Sequence, residues 1–188
     1  MIFCIVLLAY SMRMDVFGIK AKTAAKFIKN WEQKPGEEKN LVSGKIRSIG
    51  VVADVDLFRI YDFTGKLIRD FGLAPNQVQL ALLDPSGKEK GSLDAPEVFG
   101  EDSFGLYGKV KNPALEEFLS REFDLLINYS STEWVYARVV LAHSRARLMA
   151  GFDSELGFRQ DISIKVPPND MDAFHKELVR YLKIMNLA

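Results

Sequence analysis

Cysteine and histidine are scarce in this chain of 188 residues, which contains one cysteine, Cys4, and two histidines, His143 and His175. A single cysteine excludes a disulfide within the chain and a cluster of thiolates around zinc or iron-sulfur, and it is typical of the reducing cytosol. The histidines have no histidine partner at a metal-ligand spacing. We therefore expect a cytoplasmic protein with no metal site and no cofactor.

Net charge and long apolar runs are missing as well. The 25 basic and 25 acidic residues cancel, so the chain as a whole does not attract nucleic acid or an anionic membrane. The apolar residues 2–10 fall far short of the roughly 20 that span a bilayer, and no transmembrane segment is predicted. Because Met12 and Met14 follow closely, we interpret residues 1–13 as a start codon assigned too early, with a short membrane-seeking tail as the alternative.

The motifs of several common enzyme classes are absent too. No strand is followed by GxGxxG, and the chain has no GxxxxGK[ST] loop and no GxSxG elbow. Neither a glycine-rich phosphate cradle nor a hydrolase nucleophile is therefore supported. Arg138 and Arg145 share a predicted helix face and could meet a phosphate, but arginines beside a buried helix more commonly reach water or pair with acids.

What the chain does contain is a series of apolar runs separated by helical segments. In residues 123–152, an apolar run, a mostly apolar helix and a second apolar run follow one another. This pattern is typical of a parallel β-α-β unit that is buried on both faces. Residues 46–53 and 78–83 predict two further strands. The fold predicted is a three-layer α/β domain with a mostly parallel, doubly wound, Rossmann-like sheet.

Two regions are predicted to depart from this pattern. Residues 85–103 are rich in glycine, proline and charge, which predicts a loop with little structure. In residues 159–166, Ile162, Ile164 and Val166 alternate with polar residues, which indicates a strand with one wet face. Because the connection before this strand is short, we predict an antiparallel strand at the edge of the sheet.

Residues 14–34 predict a basic amphipathic helix, and residues 35–44 a polar linker to the α/β domain at residues 45–188. The interpretation that the pattern favours is a helix that packs by its apolar face and leaves its lysines in water. The functional alternative is an arm that binds RNA, a ribonucleoprotein or a membrane surface. The candidate partner-binding residues are Lys22, Lys26, Lys29 and Trp31.

Polar residues follow the predicted parallel strands, where open α/β sheets bind their ligands. Carboxylates and hydroxyls at that edge can hold a sugar or a ribose, although the same residue types are also preferred in turns and helix caps. The candidate ligand-binding residues are Asp54, Asp84, Asn128, Ser130, Ser131 and Asp153.

The chain resembles a bacterial family known only as a domain of unknown function, over roughly residues 45–187. The segments that carry the resemblance are IRSIGVVAD, FGLYGKVKN, FDLLINYSS with RLMAGF, and AFHKELVRYLKIMN. This resemblance implies no catalytic residue. FDLLINYSS is also similar to the opening of a Toll/interleukin-receptor domain, and the pattern through AGF is similar to nucleotide-sugar glycosyltransferases. Both of these similarities are superficial. The segment opens a Toll/interleukin-receptor domain but lies late in this chain. The glycosyltransferases need a second Rossmann domain, and this chain is too short for one.

Three functions are consistent with these patterns. The first is a non-enzymatic binding or adaptor module that engages a larger partner through its basic N-terminal helix. The second is a small nucleotide- or sugar-binding enzyme with its site at the carboxyl-end edge of the sheet, and the third is a degenerate relative of such an enzyme. The edge strand and the Trp31 face are two candidate homodimer surfaces.

Overall fold

A parallel β-sheet forms the centre of the molecule, and the computed structural model describes residues 18–34, 42, 44–88, 98–131, 133–153, 158–167 and 170–188. The predicted tail at residues 1–13 and most of the predicted linker lie outside them. The strands are β1 (Ile49–Asp54), β2 (Val78–Leu83), β3 (Val98–Phe99), β4 (Leu125–Asn128), β5 (Leu148–Phe152) and β6 (Ile162–Ile164). They form one six-stranded sheet in the order β3-β2-β1-β4-β5-β6, with every neighbouring pair parallel.

Helices cover both faces of this sheet. They are α1 (residues 18–32), α2 (Val55–Phe58), α3 (Phe63–Phe71), α4 (Pro113–Ser120), α5 (Val135–His143) and α6 (Met171–Ile184). In the part of the chain that the structure describes, no helix is long and apolar enough to cross a membrane.

Two apolar cores separate the layers. The first core lies between the sheet and α1, α4 and α5, and the second core lies between the sheet and α3 and α6. Side chains of β1 alternate between them, since Val52 enters the first core while Val51 and Ala53 enter the second. This alternation follows from the two-residue period of a strand. The predicted three-layer, doubly wound α/β fold is confirmed.

Helix α1 packs onto the first core by its apolar face. Ala24 and Ile28 are completely buried. The polar flank of the helix is also tied down, because Arg138 of α5 forms an ion pair of 3.1 Å with Glu32. The packing that the residue pattern favoured is therefore what the structure shows.

Capping residues set the ends of several helices. Asn112 accepts hydrogen bonds from the backbone N–H groups of Ala114 and Leu115 ahead of Pro113, and α3 ends at Gly72 with a left-handed φ of 65°. A side chain at that φ would be strained, which is why glycine suits this position.

The edge strand β6 corrects one prediction, because it pairs parallel to β5 and not antiparallel. The chain returns beside β5 before β6 begins: Asp161 donates its N–H to Met149 O at 2.9 Å, and its carboxylate accepts the Met149 N–H at 2.7 Å. Because β6 has only three residues, a short connection is enough to bring the chain back to the start of a parallel strand. Connection length was therefore a poor guide to strand direction here.

The region at 85–103 also differs from its prediction as a loop. Val98 and Phe99 form β3 and pair with Leu82 and Leu83 at the edge of the sheet. Two residues are too few to show a periodic pattern, so this strand depends on its neighbour and not on local preference.

Candidate functional site

The strand order reverses between β1 and β4. From β1 the chain moves outward to β2 and β3, and it returns to place β4 on the other side of β1. The helices after β1 and β4 consequently lie on opposite faces, with α3 over the second core and α5 over the first. Such a reversal leaves a crevice beyond the carboxyl ends of the two strands, where open α/β sheets bind ligands.

Asp54 ends β1 at this crevice and contacts the loop after β4. Its Oδ2 accepts a hydrogen bond of 3.1 Å from the backbone N–H of Ser131. Its Oδ1 is buried and has no hydrogen-bond partner among the described residues. Burial raises the pKa of Asp54 from its usual 3.8 to about 6; the Ser131 hydrogen bond lowers it, and the charge of Asp56 adds to the rise. A buried carboxylate oxygen without a donor is costly, and it marks a place where a donor from a ligand would be stabilised.

Asn128 and Ser130 build the loop that brings Ser131 to Asp54. The Asn128 side chain is buried, and its Oδ1 accepts hydrogen bonds from Ser130 N at 3.0 Å and from Ser130 Oγ at 2.7 Å. This side-chain turn replaces a backbone ladder at the end of β4 and fixes the direction of the loop. We call the group of Asp54, Asn128, Ser130 and Ser131 the switch-point crevice.

The other two predicted site residues lie on flanking strands. Asp84 follows β2 and is buried, but its Oδ1 accepts hydrogen bonds from Ser86 N, Ser86 Oγ and Gly87 N at 2.6–2.9 Å. Its carboxylate therefore builds the turn after β2. Asp153 follows β5 and is exposed, and its backbone N–H donates to Ile164 O at 2.9 Å. The structure thus brings together four of the six candidates.

Tyr129 is a buried polar residue at this edge that was missing from the predicted site. Its ring packs against Phe63 and Phe174 in the second core, with centroids 4.5 and 5.0 Å away. Its hydroxyl has no hydrogen-bond partner among the described residues, and burial raises its pKa well above the usual value. In the sequence it belongs to a turn cluster, and nothing local marked its side chain as buried.

The carboxyl-end edge of the sheet carries mainly negative charge. A basic residue near the crevice, Arg59, already lies 3.7 Å from Asp56. Among the described residues, no group of three or more histidine, cysteine, aspartate or glutamate side chains could hold a metal ion. Basic residues near these strand ends include Arg59, Lys88 and Lys165, but the acidic residues outnumber them, so the edge disfavours phosphate. The acidic residues that follow the strand ends are Asp54, Asp56, Asp84, Glu101, Asp102, Glu133 and Asp153.

The predicted partner-binding residues divide into two groups. Lys22, Lys26 and Lys29 of α1 are exposed, and none of them forms an ion pair within the residues that the structure describes. Trp31 is half-buried instead. Its ring stacks on Phe158 with centroids 5.3 Å apart, and the Arg159 guanidinium lies 4.4 Å from its centre. Packing therefore already uses the Trp31 ring.

The fold and the crevice place the chain in the class of open, doubly wound α/β proteins with the Rossmann-like strand order. The chain belongs to the Family of unknown function (DUF6913), which matches residues 20–185. The predicted resemblance to a family of unknown function is confirmed, and the match takes in most of α1 as well as the α/β sheet. No match was found among the curated proteins or among the solved structures.

Proposed function

We propose that the chain binds a small molecule at the switch-point crevice through Asp54. The observation that carries the proposal is the buried Oδ1 of Asp54, which lacks a donor in the described structure, beside an Oδ2 that is already bonded to Ser131. A ligand hydroxyl or amine would supply the missing hydrogen bond. A carboxylate with a raised pKa at the ligand-binding edge of an α/β sheet is a recurrent property of functional sites.

The ligand that suits this crevice is neutral or cationic. Helix α2 follows β1 directly, has four residues and carries Asp56 in its first turn, so its amino end is a poor place for phosphate. The surrounding carboxylates add to that repulsion. The favoured class is therefore a sugar, a nucleoside or an amine without a phosphate group, which leaves out the nucleotides that the sequence also suggested.

Binding is proposed here, and not catalysis. Asn128 Oδ1 and Ser130 are bonded to each other, and the Ser131 hydroxyl oxygen accepts the N–H of Glu133 at 3.3 Å. Asp54 Oδ1 is, among the described atoms of the crevice, the one that is buried without a partner. One carboxylate with a pKa of about 6 can exchange a proton near neutral pH, but an acid–base reaction also needs a second positioned group.

A thermal-shift screen tests the proposal, with free sugars, nucleosides and polyamines beside their phosphorylated counterparts. We expect a neutral or cationic compound to raise Tm, and Asp54→Asn to abolish the rise, because the amide would present a donor in place of the free acceptor. The control is Asp153→Asn, which removes a charge from an exposed site at the same edge. A rise in Tm that persists in Asp54→Asn would contradict the proposal.

A second candidate function is the binding of an acidic partner by α1. It is supported by the three exposed lysines without ion pairs, on a helix whose other face is fixed in the core. Such a surface suits RNA, a ribonucleoprotein or an anionic membrane. The α/β domain would then act as an adaptor that presents a preformed helix.

Sedimentation of lysate at low and high salt tests this second candidate. The variant Lys22→Glu, Lys26→Glu, Lys29→Glu should lose any co-sedimentation with ribosomes or membranes that occurs at low salt, because each phosphate contact contributes to a salt-sensitive attraction. The matched control carries Lys165→Glu, Lys176→Glu and Lys183→Glu, which are exposed lysines just after β6 and on α6. Equal loss in both variants would point to net charge and would contradict a role for α1.

A further inference from the structure

A second polar cleft lies at the opposite edge of the sheet. It has a volume of about 290 Å³ and is lined by the ends of α4 and α5 and by Lys109 and Val110. Helices α4 and α5 end where β4 and β5 are about to begin, so the cleft belongs to the amino-end edge of the sheet. It shares no residue with the switch-point crevice.

Cations converge on this cleft without carboxylate partners. Lys109 and Arg145 line it, both are exposed, and neither has an ion pair or a side-chain hydrogen bond within the described part of the chain. Glu116 also lines the cleft but pairs with neither of them. Unpaired cations that share a small space repel one another, and an anion between them would remove that repulsion.

His143 adds a third polar group that is held rigidly. Its ring stacks on Phe27 of α1, with centroids 4.9 Å apart and planes 13° apart, and its Nε2 lies 2.9 Å from Gly108 O. A carbonyl oxygen can only accept, so Nε2 carries the hydrogen; Nδ1 accepts in the neutral ring and donates to an anion only in the imidazolium form. Gly108 has a φ of +70°, and a Cβ there would lie 2.8 Å from the Phe27 ring. The lack of a side chain at Gly108 thus allows the Phe27 ring to pack against it and against His143.

Helix dipoles do not account for the whole set. The negative end of α5 attracts a cation to its last turn, which explains His143. Lys109 is the C-cap of the 3₁₀ turn Leu106–Gly108 and precedes Val110 of the Phe104–Val110 bridge, so it lies outside α4 and α5. The cleft volume lies at the lower end of the range for ligand sites, which fits a small anion better than a dinucleotide.

We infer that this cleft binds the phosphate group of a small phosphorylated molecule through Lys109, His143 and Arg145. The guanidinium of Arg145 supplies paired donors that match phosphate oxygens, and Lys109 supplies a compact charge. The hydroxyl of Ser120 at the end of α4 lies in the same lining, but it already donates its hydrogen to Glu117 O at 2.7 Å. The inference is independent of the function proposed for Asp54, because the two sites lie at opposite edges of the sheet.

Histidine-selective NMR of the full chain tests the inference with inorganic phosphate as the probe, at constant pH and ionic strength. The chain has two histidines, and His175 is buried between α3 and α6 in the other helical layer. We expect a saturable shift of the His143 signals and none at His175. Movement of both signals together, or of neither, would overturn the inference.

Variants assign the effect to the cleft. Lys109→Gln and Arg145→Gln should each weaken phosphate binding about tenfold, whereas Glu116→Gln should strengthen it about threefold by removing a repelling charge. The control is Arg121→Gln, an arginine at the end of α4 that already bonds Glu117 at 2.9 Å. Wild-type affinity in both cleft variants would overturn the inference, as would a response to a single-stranded oligonucleotide without a response to phosphate.

Discussion

The backbone N–H of Ser131 donates a hydrogen bond of 3.1 Å to Oδ2 of Asp54 and so joins the ends of β4 and β1 at the point where the strand order reverses. The same contact helps to bury the carboxylate, whose Oδ1 has no donor among the described residues. A charge held in this way costs folding free energy, and the cost depends on pH.

Asp54→Asn should therefore stabilise the protein near neutral pH. Because the folded-state pKa of about 6 exceeds the usual 3.8, the folded chain keeps this proton between those values while the unfolded chain releases it. Stability is lost as the pH rises through that window, and the full cost is present above it. Asn removes the charge and can still accept from Ser131, but its NH2 takes the unpaired Oδ1 position, so the net gain above pH 6 should be about 1 kcal/mol.

Urea unfolding at several pH values measures this effect. The advantage of Asp54→Asn should shrink as the pH falls from 6 to 4, where the wild-type carboxyl becomes protonated in the folded state. Asp153→Asn serves as the control for removing one charge from this edge. A difference between Asp54→Asn and wild type that does not vary with pH would contradict the assignment.

Gly50→Ala should destabilise the centre of the sheet. A Cβ at this position in β1 would lie 2.7 Å from Phe123 Cδ2 and 2.8 Å from Leu126 Cδ1, and both side chains are buried. Overpacking of this kind costs about 1–3 kcal/mol. The matched change Gly18→Ala on α1 meets nothing within 4 Å and should instead stabilise the helix by up to about 1 kcal/mol. Chemical denaturation compares the two, and equal effects would contradict the packing described for Gly50.

Ile28→Ala tests whether α1 is an integral part of the first core. Ile28 is completely buried, whereas Ile19 on the same helix is 51% exposed. Removing the buried side chain should cost about 2–5 kcal/mol, while Ile19→Ala should change stability by less than about 0.5 kcal/mol. If Ile28→Ala proved as mild as Ile19→Ala in urea unfolding, α1 would not contribute to the core in solution.

The contact between His175 and Asp70 links α6 to α3. The His175 Nε2 lies 2.5 Å from Asp70 Oδ2, and its Nδ1 is buried without a partner among the described residues. Asp70→Ala should therefore cost about 1–3 kcal/mol, because it leaves a second ring nitrogen unsatisfied. Adding His175→Phe should recover part of that loss, which a double-mutant cycle measures. Additive effects in the cycle would show that the two side chains do not interact.

The larger elements of the fold were predictable because their signals are local. Residues 123–152 show β4, α5 and β5 directly as two apolar runs around an apolar helix. Val98 and Phe99 were missed because a two-residue strand has no period, and its pairing with β2 is a tertiary contact that no local pattern records. The direction of β6 was wrong because a short connection permits either direction when the strand itself is short.

The places of the candidate residues in the fold were predictable, but their contacts were not. Asp54 and Asp84 both follow apolar strands, and nothing in their neighbours separates them. The difference is tertiary: the turn after β2 satisfies Asp84 within three residues, whereas the donor for Asp54 is 77 residues away. The second polar cleft was missed for the same reason, since His143 and Gly108, which are in contact there, lie 35 residues apart in the sequence.

Arg159 donates a hydrogen bond of 2.9 Å to the carbonyl of Lys34, a residue made 125 positions earlier. A ribosome adds about 5–20 residues per second, so the end of α1 waits roughly 6–25 s for this partner to be synthesised. During that interval Ala24 and Ile28 lack much of the core that covers them later. Until then the apolar face of this lysine-rich segment is incompletely covered, and exposed apolar surface of this kind makes an incomplete chain prone to aggregate.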